Sequence, residues 1–280
     1  MEKYERLQTM RPTDFKRLVG VKKETFGLML EVCQEYHKAK KSRGGKPNTL
    51  SIADQLLLML GYYREYRSMA HIAFDYGVSE ATVSRVIQEM ETVLIQSGKF
   101  SLPGKKALYE DGGIELDYIV VNATECSVQR PKKGQHRYYS GKKKRHTAKG
   151  QIVIDSNQRI ICTAVSVNNI HDFKLFKQSR LPIKKETNVK VDTGYLGINS
   201  LHMNSDIPKK KTKLHPLTKE DKLSNKMKAS ARICVEHVNA KIKTFKILGE
   251  KYRNRRKRFG LRFNLICALI NADRGFGVKC

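Results

Sequence analysis

The chain has 280 residues, 40% of them apolar and 29% charged, which is enough for a folded protein with a sizeable core. Its 55 Lys and Arg residues outnumber its 27 Asp and Glu residues, and the net charge of +28 indicates a polyanionic partner, most simply nucleic acid. The six cysteines stand singly, no apolar run approaches the roughly 18 residues of a membrane helix, and the N-terminus is polar, so we expect no disulfide framework, membrane span or signal peptide.

The first 97 residues are predicted to form an all-α domain. Apolar residues at helical spacing predict helices within residues 12–37 and another helix from Ser51, which Asp54 would help to cap. Two further helical patterns, within residues 68–91, flank a tight turn at Gly77 and fit a helix-turn-helix. The alternative is an ordinary helical hairpin, but the net charge favours DNA binding. Facing outward from the second helix, where base edges are read, would be Ser79, Thr82, Ser84 and Arg85.

A Gly- and Lys-rich stretch without periodicity, residues 98–116, is predicted to be a linker. Residues 117–280 read as an α/β domain, with strands at 118–122, 147–155, 159–167 and 188–191. Its helices are predicted near 172–179, 219–247 and 259–272. Residues 111–280 carry a net charge of +23, so this domain is expected to lie along phosphates.

Basic runs in the second domain are the predicted phosphate contacts. The first run comprises Lys142, Lys143, Lys144, Arg145 and His146. Another, at 251–258, contains Arg255 and Arg256. Side chains of this kind fix a protein on a duplex without reading its sequence.

Polar residues end two of the predicted strands, Asn122 and Asp192. The ends of adjacent central strands lie side by side, so these side chains could converge at one edge. Glu236 lies in the middle of a predicted helix, with Arg232 and Lys243 on the same side. Alone, such a glutamate is as readily a surface ion pair, but with a strand-end acid and basic runs nearby it suggests an oxygen-ligand site for Mg²⁺ or Mn²⁺.

These motifs together resemble the DDE transposases of bacterial insertion sequences, close to the insertion-sequence-five branch and its Harbinger-like relatives. The matching stretches are NATE at 122–125, YSGKKKRHT at 139–147, HDFKLF at 171–176, DTGYLG at 192–197, Arg-x-x-x-Glu-x-x-x-x-x-x-Lys at 232–243, and YREYRSMAHIAFDYGVSEATVSRV at 63–86. The resemblance covers most of the chain.

The resemblance implies a ribonuclease H-like, mixed-sheet α/β/α catalytic domain behind an all-α helix-turn-helix domain. Three acids of this family hold two divalent metal ions, Mg²⁺ or Mn²⁺, that cut DNA at the ends of the element and join the freed 3′-OH to a target. Their positions fall on Asn122, Asp192 and Glu236, which we call the metal corner. Arg232 and Lys243 match the family residues that hold transposon-end phosphates. A homodimer on double-stranded DNA is expected by the same analogy, in the bacterial cytoplasm and associated with the nucleoid.

The chain departs from the family pattern at Ala229, where a tyrosine is frequent, and at Asn122, where the family has aspartate. An amide binds a metal ion weakly and cannot bridge two, so catalysis should be impaired. Glu125 does not obviously replace the acid, because strand alternation places it on the opposite face. Asn122 could be a substitution that stalls the enzyme on DNA, which the intact remaining motifs favour, or the mark of a decayed or domesticated copy.

Two rival functions remain at this point. A non-enzymatic, sequence-specific DNA-binding regulator would use the helix-turn-helix alone. A non-specific RNA-binding protein would show an affinity that collapses with salt.

Overall fold

The structure is a computed structural model that describes residues 3–110, 116–211, 216–254 and 256–276, without the side chains of residues 230 and 231. The chain forms two compact units. The helical unit comprises Met1–Ser101, Ile242–Glu250 and Asn264–Cys280, and the sheet unit comprises Leu102–Lys241 and Lys251–Phe263. The class predicted from the sequence, a helical N-terminal region followed by a mixed-sheet α/β domain, is confirmed.

The helical unit is built around a buried central helix. Its helices are α1 (Lys3–Gln8), α2 (Pro12–Val19), α3 (Lys23–Lys41), α4 (Ile52–Glu65), α5 (Met69–Tyr76), α6 (Glu80–Gln96) and α9 (Lys246–Gly249). Helix α4 is buried from Ala53 to Leu60, and α2, α3, α6 and α9 pack around it. The Ser51 hydroxyl caps α4 by accepting a hydrogen bond from the Asp54 N–H at 3.1 Å, which confirms the predicted start of the helix but not a capping bond from the Asp54 side chain.

The C-terminal segments belong to the helical unit, which differs from the predicted division at residue 117. Helix α10 (Phe259–Asp273) starts in the sheet unit and runs into the helical unit from Asn264. Asp273 is 8% exposed and accepts hydrogen bonds from the Lys22 N–H at 2.5 Å, the Thr25 hydroxyl at 3.0 Å and the Lys16 ammonium. These bonds hold the end of α10 against α2 and α3.

The sheet unit contains one mixed sheet of six strands. They are β1 (Tyr118–Ser127), β2 (Tyr139–Ser140), β3 (Arg145–Asp155), β4 (Ile160–Ser166), β5 (Asn188–Lys190) and β6 (Ser205–Asp206). The order is β2-β3-β1-β5-β6, with β4 also pairing β3. β3 is antiparallel to β1 and β4, whereas β5 is parallel to β1 and β6. The sheet unit also contains α7 (Asp172–Ser179) and most of α8 (Lys219–Lys243).

Both faces of the sheet are covered. On one face, Val121 and Val153 share a buried cluster with Phe176 of α7. On the other, Phe263 at the start of α10 lies against Gly150 of β3 so closely that a Cβ atom there would meet its ring at 2.4 Å. Gly150 is therefore required for the close approach of α10 to the sheet.

Of the predicted linker, 98–116, residues 98–110 are partly packed, and residues 111–115 lie outside the described residues. Phe100 and Leu108 are buried, and the Gly104 N–H donates to the Ile161 carbonyl at 2.9 Å, which ties residues after 101 to the sheet unit. The Gly104 hydrogen bond and the packing of residues 105–108 involve β4, a distant partner that the local sequence pattern does not reveal. In the described part of the chain, the cysteines are free, and no helix is long and apolar enough to cross a membrane.

Candidate functional site

The predicted helix-turn-helix is formed by α5 and α6. The turn uses Gly77 at φ 61°, and the Val78 N–H bonds back to the Ala73 carbonyl at 3.0 Å. The Ser79 hydroxyl caps α6 by accepting from the Thr82 N–H at 3.2 Å. A glycine in the left-handed region followed by a serine cap sets the angle between the two helices.

The four predicted base-reading residues lie in the first two turns of α6 and its cap. Ser79 and Arg85 are exposed, and Thr82 and Ser84 are half-buried. Thr82 and Arg85 also line a groove of about 390 Å³. A helix whose first turns carry exposed, short side chains and an arginine can enter the major groove of DNA.

The first basic run forms a hairpin tip. Lys142, Lys143 and Lys144 lie in the turn between β2 and β3, and Arg145 and His146 begin β3. The lysines and Arg145 are exposed and His146 is half-buried, with Lys144 at φ 48°. Lys142 in this turn borders a cleft of about 620 Å³. Exposed ammonium groups on a turn are suited to contact phosphates.

The other predicted phosphate contacts are dispersed. Arg232 lies on α8, and Lys243 is the exposed last residue of that helix. The Arg256 guanidinium stacks 4.4 Å from the centre of the Tyr138 ring, beside the hairpin. Arg255 lies outside the described residues.

Asn122 and Asp192 lie at the same level of neighbouring strands. In the β1–β5 register, Val120 pairs with Lys190, so both residues come two positions later. The prediction that the strand ends at Asn122 was wrong, because β3 pairs β1 from Ile119 to Ser127. Asn122 is instead in the middle of β1, just past the point where β5 stops pairing with it. Neighbouring strands are about 4.8 Å apart, so Asn122 and Asp192 each lie two residues beyond a pair of adjacent positions.

Glu236 is the most exposed of the three residues of the metal corner. Its side chain is 60% exposed, and its nearest ionic partner is Arg232 at 3.6 Å, the surface ion pair that the sequence left open. Within the described ranges, no three His, Cys, Asp or Glu side chains gather closely enough to hold a metal ion. Asn122 accepts a hydrogen bond from the Ala123 N–H at 2.8 Å and carries no charge. The three residues as arranged therefore fit two divalent ions poorly.

A carboxylate that was not among the predicted site residues lies beside Asp192. Asp172, the first residue of α7, borders the cleft of about 620 Å³ together with Glu125, Lys149 and Gly194. The signal was present in the sequence as an acid opening a helix inside the HDFKLF motif. Its proximity to Asp192 depends on long-range folding and could not be read from spacing.

Comparison with known proteins agrees with this architecture. Residues 121–271 match the DDE superfamily endonuclease family, and residues 48–100 match the helix-turn-helix of DDE superfamily endonuclease. The chain is 43% identical, over 97% of its length and 98% of the relative's, to a protein from Microchaete diplosiphon named probable transposase for insertion sequence element IS702. It is 26% identical, over 82% of its length and 83% of the relative's, to a Streptomyces albus G protein named provisionally as transposase for insertion sequence element IS112. No solved structure matches the chain. The chain therefore belongs to the DDE superfamily endonucleases and is a bacterial insertion-sequence transposase with a helix-turn-helix DNA-binding region.

Proposed function

We propose that this transposase binds the terminal inverted repeats of its own element through the helix-turn-helix and carries a DNA-cleaving and strand-transferring site that is impaired by Asn122. The observation that carries the proposal is the β1–β5 register, which sets Asn122 level with Asp192. Metal-dependent chemistry is general in the family, and a divalent ion would supply charge to stabilise the reacting phosphate. An amide at position 122 removes one of the negative charges that would hold it.

Sequence recognition is assigned to α6. Ser79, Thr82, Ser84 and Arg85 would contact base edges, because they occupy the exposed start of the second helix. The hairpin tip Lys142–His146 would hold backbone phosphates, helped by Arg232, Lys243, Arg255 and Arg256. A basic surface of this kind predicts binding that weakens steeply with salt. We also propose a homodimer, since two transposon ends must be brought together.

The experiment restores at position 122 the aspartate that the family has there. Asn122→Asp should give Mg²⁺-dependent cleavage of a duplex that carries the ends of the element, at a rate at least about 100-fold above the chain with Asn122, given the weight of charge stabilisation in such sites. The matched control combines Asn122→Asp with Asp192→Asn. This double variant restores the negative charge at position 122 and removes the negative charge at position 192. The control should return the rate to the background of the Asn122 chain.

The second candidate function is a DNA-binding regulator without catalysis. It is favoured by the exposed Glu236 and the neutral Asn122. If Asn122→Asp binds the ends with unchanged affinity and cuts no DNA in Mg²⁺ or Mn²⁺, the chain is a DNA-binding regulator and not a nuclease. Loss of end-specific binding on Arg85→Ala, without loss of fold, is expected under both functions and tests the assignment of α6 alone.

A further inference from the structure

Gly194 lies between two carboxylates that come from different elements. It follows Asp192 in the turn after β5, and its N–H donates to the Asp192 Oδ1 at 2.8 Å. A Cβ atom on residue 194 would lie 2.9 Å from that oxygen and 2.9 Å from the Asp172 Oδ2. Real Cβ atoms do not approach oxygens so closely, so glycine keeps open the space between the two carboxylates.

A buried ammonium fixes the orientation of Asp172. Lys149 on β3 is 6% exposed and donates to the Asp172 Oδ1 at 2.5 Å and to the Ile170 carbonyl at 2.6 Å. Its Nζ also lies 3.9 Å from the Glu125 carboxylate. With Oδ1 occupied by Lys149, Oδ2 is the atom directed at Gly194. The charged residues that line the cleft are Glu125, Asp172, Lys142, Lys149 and Lys174.

Two buried polar atoms here have no hydrogen-bond partner among the residues that the structure describes. They are the Glu125 Oε2 and the Tyr195 hydroxyl, and the Tyr195 side chain is completely buried. Tyr195 directly follows Gly194 in the chain, and burial and the charges of Asp172 and Asp192 raise the pKa of its hydroxyl. Buried polar atoms without partners are rare in folded proteins and are usually satisfied by water or a ligand.

We propose that Asp172 is an additional carboxylate of the metal site and shares one divalent cation with Asp192 across the space above Gly194. The inference rests on the proposed function, because it takes Asp192 as a metal ligand. Mg²⁺ and Mn²⁺ do not require a cage of protein ligands: Mg²⁺ is commonly held by one or two carboxylates, with water and substrate phosphate oxygens completing the shell. A pair of carboxylates is thus sufficient where three acidic groups do not gather. Lys149 is a positioning residue that holds the Asp172 carboxylate in place.

The test is Mn²⁺ binding to the full chain without DNA, measured by the loss of the free-ion electron paramagnetic resonance signal. Asp172→Asn and Asp192→Asn should each weaken binding by at least about 10-fold, since even partners of metal ligands contribute this much. The matched control is Glu186→Gln, an exposed carboxylate just before β5, at the opposite end of that strand from Asp192, which should bind Mn²⁺ like the unmodified chain. Gly194→Ala provides a second variant that retains both carboxylates and the Lys149 ion pair, and it should weaken binding as well.

The outcomes separate the two proposals. If Asp192→Asn weakens Mn²⁺ binding while Asp172→Asn and Gly194→Ala do not, Asp172 has a structural role only, and this inference is wrong while the proposed function stands. If none of these changes alters binding, no ion is held here and the inference fails together with the assignment of Asp192. Cleavage by Asn122→Asp is scored independently, so a failed proposed function remains distinguishable.

Discussion

The hydrogen bonds that Asp273 accepts predict a large loss of stability when its carboxylate is removed. Asp273→Ala leaves the Lys22 N–H and the buried Thr25 hydroxyl without their acceptor. Each unpaired group costs about 1–3 kcal/mol when water cannot replace the partner. The Lys16 ammonium is about half-exposed, so its ion pair adds no more than about 1 kcal/mol. We therefore expect the free energy of unfolding of the helical unit to fall by about 2–5 kcal/mol.

Urea denaturation followed by the helical circular dichroism signal measures this loss. Lys16→Met is the matched control, because it removes only the exposed partner of the same carboxylate. Its unfolding free energy should stay within about 1 kcal/mol of the unmodified chain. If Asp273→Ala costs no more than Lys16→Met, the bonds to Lys22 and Thr25 do not stabilise the fold, and the account of how α10 joins the helical unit is refuted.

Two further predictions concern one packing contact and one titrating side chain. Gly150→Ala should lower the unfolding free energy by about 1–3 kcal/mol, because its methyl group would overlap the Phe263 ring; adding Phe263→Leu should recover part of the loss in urea denaturation, and a neutral Gly150→Ala would contradict the contact. The pKa of His37 lies below its ordinary value of 6.5, mainly because the side chain is buried. The unfolded chain then binds a proton more readily, so unfolding free energy should fall as the pH drops below about 6.5, by at most about 1.4 kcal/mol per pH unit from this group. His37→Leu should flatten that slope between about pH 7 and 5 in urea titrations, and an unaltered slope would show that another group is responsible.

Local features of the fold were predictable because their causes lie within a few residues. Ser51 and Ser79 cap α4 and α6 as the sequence indicates, since a serine before an apolar-periodic run can reach the N–H three residues later. Gly77 marks the turn of the helix-turn-helix because it tolerates a positive φ. The short helix α7 was likewise predicted with its observed bounds, 172–179.

Features set by distant partners were not predictable in the same way. The polar residues after Asn122 suggested the end of a strand, but pairing with β3 extends β1 to Ser127. Asp273 has no local signal that assigns α10 to the first helices of the chain. The nearness of Asp172 to Asp192 also depends on where α7 packs, so the sequence showed two acidic motifs without showing that they meet.

The composition of the helical unit has a consequence for synthesis of the chain. Because Ile242–Glu250 and Asn264–Cys280 belong with Met1–Ser101, the helical unit cannot be completed until the ribosome has passed residue 264. The strands of the sheet unit all lie between residues 118 and 206, but this unit also needs Lys251–Phe263, so it too is completed late. In the nascent chain, helix α6 is therefore made long before the late segments that complete its unit. A fragment cut after residue 101 would expose the apolar sides of α4 that the late segments cover.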